Sequence, residues 1–278
     1  MTTIQHTFQQ LNGRPALITY ITAGDPDLDT TLQLMHSLAD NGADIIELGV
    51  PFSDPMADGP TIQRAAERAL AQGVSLRDVL ALTARFRERN RHTPVVLMGY
   101  LNPIHKMGYA DFARAAAEAG VNGVLTVDSP IETIAPLHRE LRAQDLDTIF
   151  LVAPTTGEAR MAEIGRLAGG FVYYVSLKGV TGSAALDTAD VAAKLAVLRR
   201  HIHIPIGVGF GINDADSARQ IAAVADAVII GSRIVKEIET HPGREAAAVG
   251  ALVHGLKAAI AGALPPKADS RASARDAE

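Results

Sequence analysis

Eight short apolar runs, the helical patterns between them and the near-constant spacing of the runs predict an α/β fold, a (βα)8 TIM barrel built as a single domain. The runs, rich in β-branched residues, cover 17–21, 45–50, 95–98, 123–127, 148–152, 171–175, 204–208 and 227–230. Most begin 23 to 33 residues after the one before, the length of one strand–helix unit. A doubly wound open sheet is the alternative; eight even units without an antiparallel edge favour closure.

The elements follow in order from local signals. Residues 1–11 are amphipathic and predict an extra N-terminal helix plugging the bottom of the barrel. Asp27 or Asp29 caps the helix after the first strand. The interval from Ile45 to Val95 is 50 residues, so strand 2 is followed by an insertion. It holds a helix over 61–71 and a second, capped by Ser75, over 76–89. Asp187 or Thr188 caps a helix over 189–200, and Asn213-Asp214 caps the next. The barrel domain spans 1–263. From Pro265 the chain is small, polar and unpatterned, so 264–278 reads as a disordered tail.

Composition narrows the function. Of 278 residues, 47% are apolar, ample for a large core. With 31 acids against 26 bases, a net charge of −5 gives no support to nucleic-acid or anionic-membrane binding. The absence of cysteine excludes thiolate metal sites and cysteine nucleophiles and fits a cytoplasmic location. No apolar run approaches 18 residues and no basic segment precedes one at the start, so neither a membrane span nor a signal peptide is expected.

The second strand carries an acid. Alternation puts Ile46, Leu48 and Val50 on one face and Ile45, Glu47 and Gly49 on the other. A carboxyl on a strand apolar on both faces is costly to bury, so it has a task or a fixed partner. Eleven positions on, Asp58 sits in a Pro- and Gly-rich loop that can fold back over the strand end. Two carboxylates in unlike surroundings suit acid–base chemistry; an interior ion pair plus a turn aspartate is the plain alternative. At the other side of the predicted rim, Gly179-Val180-Thr181-Gly182, Gly209-Phe210-Gly211 and Gly231-Ser232 follow the last three strands. Glycines admit an anion to the backbone, and helix N-termini supply free amides, so this rim suits a phosphate.

These segments closely resemble the α subunit of tryptophan synthase. The likeness runs through Thr22-Ala23-Gly24-Asp25-Pro26, Glu47-Leu48-Gly49-Val50-Pro51-Phe52-Ser53-Asp54-Pro55, Ala57-Asp58-Gly59-Pro60-Thr61-Ile62-Gln63 and the three glycine clusters, across roughly residues 3–262. It implies a lyase that cleaves indole-3-glycerol phosphate to indole and glyceraldehyde 3-phosphate. No cofactor of its own is implied; pyridoxal phosphate belongs to the β subunit, to which indole passes in an α2β2 heterotetramer. Glu47 and Asp58 take the catalytic positions. Gly182, Gly211, Gly231 and Ser232 take the phosphate. Tyr20, Met98, Tyr100, Leu125, Tyr173 and Phe210 are candidates for the indole slot, with Thr181 hydrogen-bonding Asp58 on loop closure. One departure is Ser176-Leu177-Lys178-Gly179, where the family commonly carries Ser-Arg before the glycine.

Two other readings stay open: a phosphosugar isomerase on a similar barrel, and a chain that only activates its partner. Partner contacts are expected from exposed loops at 51–60, Asn102-Pro103 and 128–130. His201 and His203 could share a strand face but enter from the barrel bottom with no third ligand, so no metal is expected. Arg85, Arg87, Arg89 and Arg91 read as a solvated helix end.

Overall fold

The computed structural model describes residues 1–176, 188–209 and 211–263. Eight parallel strands close on themselves in chain order: β1 (Ala16–Thr22), β2 (Ile45–Gly49), β3 (Val95–Gly99), β4 (Gly123–Thr126), β5 (Asp147–Val152), β6 (Val172–Val175), β7 (Ile206–Gly209) and β8 (Ala227–Ile230). Closure is the β1–β8 ladder, which pairs Ala16 with Ala227 and Thr19 with Ile230. Period-two alternation divides the wall. Leu17, Ile46, Leu48 and Val95 join the helices in the outer core, whereas Ile18, Ile45, Val96, Leu125, Ile149 and Phe171 fill the interior.

The helices are α1 (Thr3–Gln10), α2 (Leu28–Asp40), α3 (Pro60–Ala71), α4 (Leu76–Arg87), α5 (Leu101–Met107), α6 (Tyr109–Glu118), α7 (Ala135–Ala143), α8 (Glu158–Leu167), α9 (Thr188–Leu198), α10 (Ala215–Ala222), α11 (Ser232–Thr240) and α12 (Glu245–Ala261). The expected insertion after β2 is α3. Asp27 caps α2, and capping boxes start α4 at Ser75 and α10 at Asp214. Two further helices had no distinct sequence signal. Gly108, at φ +91°, ends α5 and begins α6, and a turn through Gly243, at φ +76°, parts α11 from α12.

α1 is the expected plug. Ile4 is fully buried in the interior cluster, and the Thr2 hydroxyl donates to Asp147 Oδ2 at 2.6 Å. Asp147 is itself fully buried, and its Oδ1 has no partner among the described residues. Elsewhere at this end an Asx side chain just before an even strand caps the first amides of the odd strand preceding it. Asp44 accepts from Leu17 N at 2.7 Å, Asn122 from Val95 N at 2.9 Å and Asp226 from Ile206 N at 2.9 Å. Each Asx also takes a cation: Lys257, Arg87 and Arg199 respectively.

Arg87 corrects the sequence reading of a solvated arginine run. Its guanidinium is half-buried and donates to the Gly120, Asn90 and Thr93 carbonyls and to Asn122 Oδ1, over 2.7–3.1 Å. Burial lowers it to about 10. Arg85 fits the expectation, being an exposed partner of Asp29. The segment 264–278, read as a tail, lies outside the described residues.

Thr2→Ala leaves both Asp147 oxygens buried without a donor. It is expected to cost about 1–3 kcal/mol in urea unfolding, with no loss of barrel signature in circular dichroism.

Candidate active site

Glu47 is the third residue of β2, 1% exposed, with Tyr20 of β1 and Val96 of β3 as its ladder neighbours. Neither carboxylate oxygen has a hydrogen-bond partner among the described residues. Desolvation alone drives its pKa up to about 8, so at neutral pH it carries its proton.

The glycines above it make room for rings. A Cβ at Gly49 would lie 2.2 Å from the Tyr20 hydroxyl, and one at Gly209 would lie 2.2 Å from the Tyr173 hydroxyl. Both tyrosines therefore lie flat against glycine backbone at the upper end of the barrel. Burial raises both phenols, and the charge of Glu47 adds to each. Tyr20 keeps one polar partner, the Thr22 hydroxyl at 3.2 Å. Met98 packs with Tyr20, Ala65 and Val235. Leu125 is fully buried in the interior cluster.

Asp58 is half-buried on the loop between β2 and α3. Tyr100, proposed from sequence as apolar lining, is instead its polar partner: the phenol donates to Asp58 Oδ2 at 3.1 Å and accepts from Ala57 N at 3.0 Å. Its ring stacks on Phe52, centroids 4.9 Å apart. Gln63, which sequence reasoning missed, fixes the same loop by donating to the Asp58 carbonyl at 2.8 Å. Burial raises Asp58 above the usual carboxylate value while the Tyr100 bond opposes it. The two acids shift the same way, Glu47 by far the more.

On the other flank of β1, Gly231 precedes α11 with no side-chain cap. Ile234 N and Val235 N bond the Gly231 carbonyl at 2.8 and 3.0 Å, and the first-turn amides at Ser232 and Arg233 have no intrahelical partner. Gly211 stands beside this turn in the chain order of the rim, at φ +75°. Gly231 lies against Tyr20, where a Cβ would sit 3.3 Å from Tyr20 Cβ. Thr181, Gly182 and Phe210 lie outside the described residues, as does the Leu177-Lys178 departure.

Of the loops expected to be exposed, Ser53, Asp54 and Asn102 are, and Met56 is 89% exposed. Pro51 and Ser129 are buried. Asp128 has a structural task, accepting from Leu101 N at 2.8 Å to start α5. Among the described residues no group of three or more His, Asp or Glu could hold a metal. His201 instead meets Glu158 at 2.9 Å. No helix of the described residues is long and apolar enough to cross a membrane.

The family model for the tryptophan synthase alpha chain matches residues 8–261. The chain belongs to the tryptophan synthase alpha chain family. A member from Neisseria meningitidis serogroup B is 68% identical over 260 residues, 94% of this chain and all of the relative. One from Thiobacillus denitrificans is 61% identical over 250 residues, 89% and 92% of the two chains. Among solved structures, tryptophan synthase subunit alpha from Legionella pneumophila superposes with a TM-score of 0.88 at 43% identity, covering 94% of this chain and 99% of its own. A chain of the tryptophan synthase α2β2 complex of Pyrococcus furiosus gives 0.82 at 37%, covering 87% and 98%.

Tyr100→Phe removes the donor to Asp58 and strands the Ala57 amide. It is expected to lower kcat/KM about tenfold to a hundredfold with little change in thermal midpoint, read by indole release and calorimetry.

Proposed function

We propose that Glu47 and Asp58 perform the alpha reaction of tryptophan synthase in this chain, the cleavage of indole-3-glycerol phosphate to indole and glyceraldehyde 3-phosphate. The observation that carries it is the Glu47 carboxyl, buried with no partner among the described residues and with Tyr20 as its ladder neighbour. Glu47, neutral at rest, gives its proton to the ring carbon bearing the glycerol chain. Positive character then develops at the ring nitrogen, where Asp58 accepts the N–H and stabilises it. The Glu47 carboxylate so formed takes the proton of the adjacent side-chain hydroxyl. The carbon–carbon bond breaks, its electron pair restores the aromatic ring, and the aldehyde is released. One proton leaves Glu47 and one returns, so the residue is regenerated.

The phosphate rests on the amides that open α11, with Gly211 beside them. Tyr20, Met98 and Tyr173 flank the ring above Leu125. The chemistry is proton transfer and needs no cofactor in this chain. Indole passes to a pyridoxal-phosphate β subunit in an α2β2 assembly in the cytoplasm. The exposed Met56 and its neighbours Ser53 and Asp54 supply a docking edge next to Asp58.

Glu47→Gln and Glu47→Ala are expected to abolish indole release from indole-3-glycerol phosphate while the barrel stays folded, and Asp58→Asn to lose most of it; wild-type turnover in either Glu47 variant removes the mechanism. Free enzyme needs the Glu47 proton, so kcat/KM is expected to fall as pH rises through about 8. Stability carries the same signature. The folded state holds the proton between the ordinary glutamate value and about 8 while the unfolded chain does not, so stability declines as pH rises across that window. Glu47→Gln removes the slope, about 1.4 kcal/mol per pH unit, and denaturation at pH 6 and 8 measures the gain.

A further inference from the structure

Four charged side chains outside the slot join the elements that carry its two ends. Asp25, 1% exposed just beyond β1, receives a two-pronged contact from Arg68 of α3, Nε to Oδ1 at 2.7 Å and Nη2 to Oδ2 at 2.9 Å. The remaining nitrogen, Nη1, donates to Glu239 Oε1 of α11 at 3.1 Å. Arg64, one turn earlier on α3, donates to both Glu239 oxygens at 2.9 and 3.1 Å. Hydrogen bonds from Arg64 and the charge of both guanidiniums hold Glu239 at about 2, so this acid stays ionised at neutral pH. Ala65 of α3 and Val235 of α11, both fully buried, close over Tyr20 in one cluster.

The location matters more than the strength. α3 begins two residues after Asp58, and α11 begins at the Ser232 amide. The exit of β1, on which Tyr20 and Thr22 stand, is the third anchor through Asp25. Exposed ion pairs contribute little, but here one planar fork engages two acids on different elements and one of those acids is buried. A ligand held at both ends gains from a fixed spacing between its two seats.

We propose that Arg68 is a positioning residue: by bridging Asp25 and Glu239 it fixes the distance between the Asp58 carboxylate and the α11 amides. The proposal rests on the reading that the ring nitrogen meets Asp58 and the phosphate meets α11. It predicts a loss confined to ligands that span both seats.

The test uses the full chain, with two phosphate ligands measured by calorimetry. Indole-3-propanol phosphate spans the site and glycerol 3-phosphate occupies the phosphate seat alone. Glu239→Gln leaves the Asp25–Arg68 contact in place and cuts α11 from α3, and Arg68→Lys keeps the charge but cannot serve both acids. In each, the spanning ligand is expected to weaken about tenfold, glycerol 3-phosphate to stay within about twofold, and kcat/KM to fall about tenfold, mainly through KM. Arg64→Ala, which spares the Arg68 bridge, is expected to have a smaller effect on all three. Unchanged affinity for the spanning ligand overturns the proposal, as does an equal loss of both ligands, which would mean that the phosphate seat itself had collapsed. A wild-type chain that binds neither ligand removes the underlying reading, and this one with it, before any variant is compared.

Discussion

An unpaired carboxyl inside a barrel sets the terms for the rest of this molecule. Among the described residues Glu47 has no donor, and no side chain there relieves its desolvation. Such a group survives burial by staying protonated, and the surrounding fold must be stable enough to carry it. The fully buried layers below supply that stability, with Ile4 of α1 sealing the bottom and Ile45, Val96, Ile149 and Phe171 filling the interior. Above Glu47, where a packed barrel would continue with large side chains, Gly49 and Gly209 stand instead. Those positions lack a Cβ, and the Tyr20 and Tyr173 hydroxyls occupy the space so released.

The second acid is handled differently. Asp58 depends on a loop that has little packing of its own, with Ser53, Asp54 and Met56 exposed. Its position is specified by hydrogen bonds to Tyr100 and Gln63 and by the stacking of Phe52 on Tyr100. One carboxyl is thus tuned by burial alone on a rigid strand, the other by partial burial that a donor on its phenol partner opposes. This difference separates their proton affinities although both are raised.

Much of this was legible in the chain. Strand alternation puts Glu47 on one face with Ile45 and Gly49; with both faces apolar, it is the closed barrel that makes that face the inner one. Of the helix starts after β7 and β8, α10 is capped by Asp214 and α11, behind Gly231, has no side-chain cap. What could not be read depends on contacts between distant segments. Tyr100 looks like one more aromatic at a strand end until the loop before α3 brings Asp58 and the Ala57 amide to its hydroxyl. Arg87 looks like a member of a solvated run, yet three carbonyls and Asn122 converge on its guanidinium. The Asp25–Arg68–Glu239 bridge joins positions near both ends of the chain, and no local pattern announces it.

The Asx caps at the lower end have a consequence for how this barrel comes apart. They tie β1 to β2, β3 to β4 and β7 to β8, each reinforced by a cation. The remaining doublet, β5 and β6, has Gly169 and Gly170 where the others place an Asx, and these press on Asp147, which leans on Thr2. Three seams are riveted from within the wall, and the fourth borrows its fastener from a helix that precedes the first strand. Partial opening of the cylinder should therefore begin along that seam, on the side away from the chemistry, with the release of α1 as its trigger.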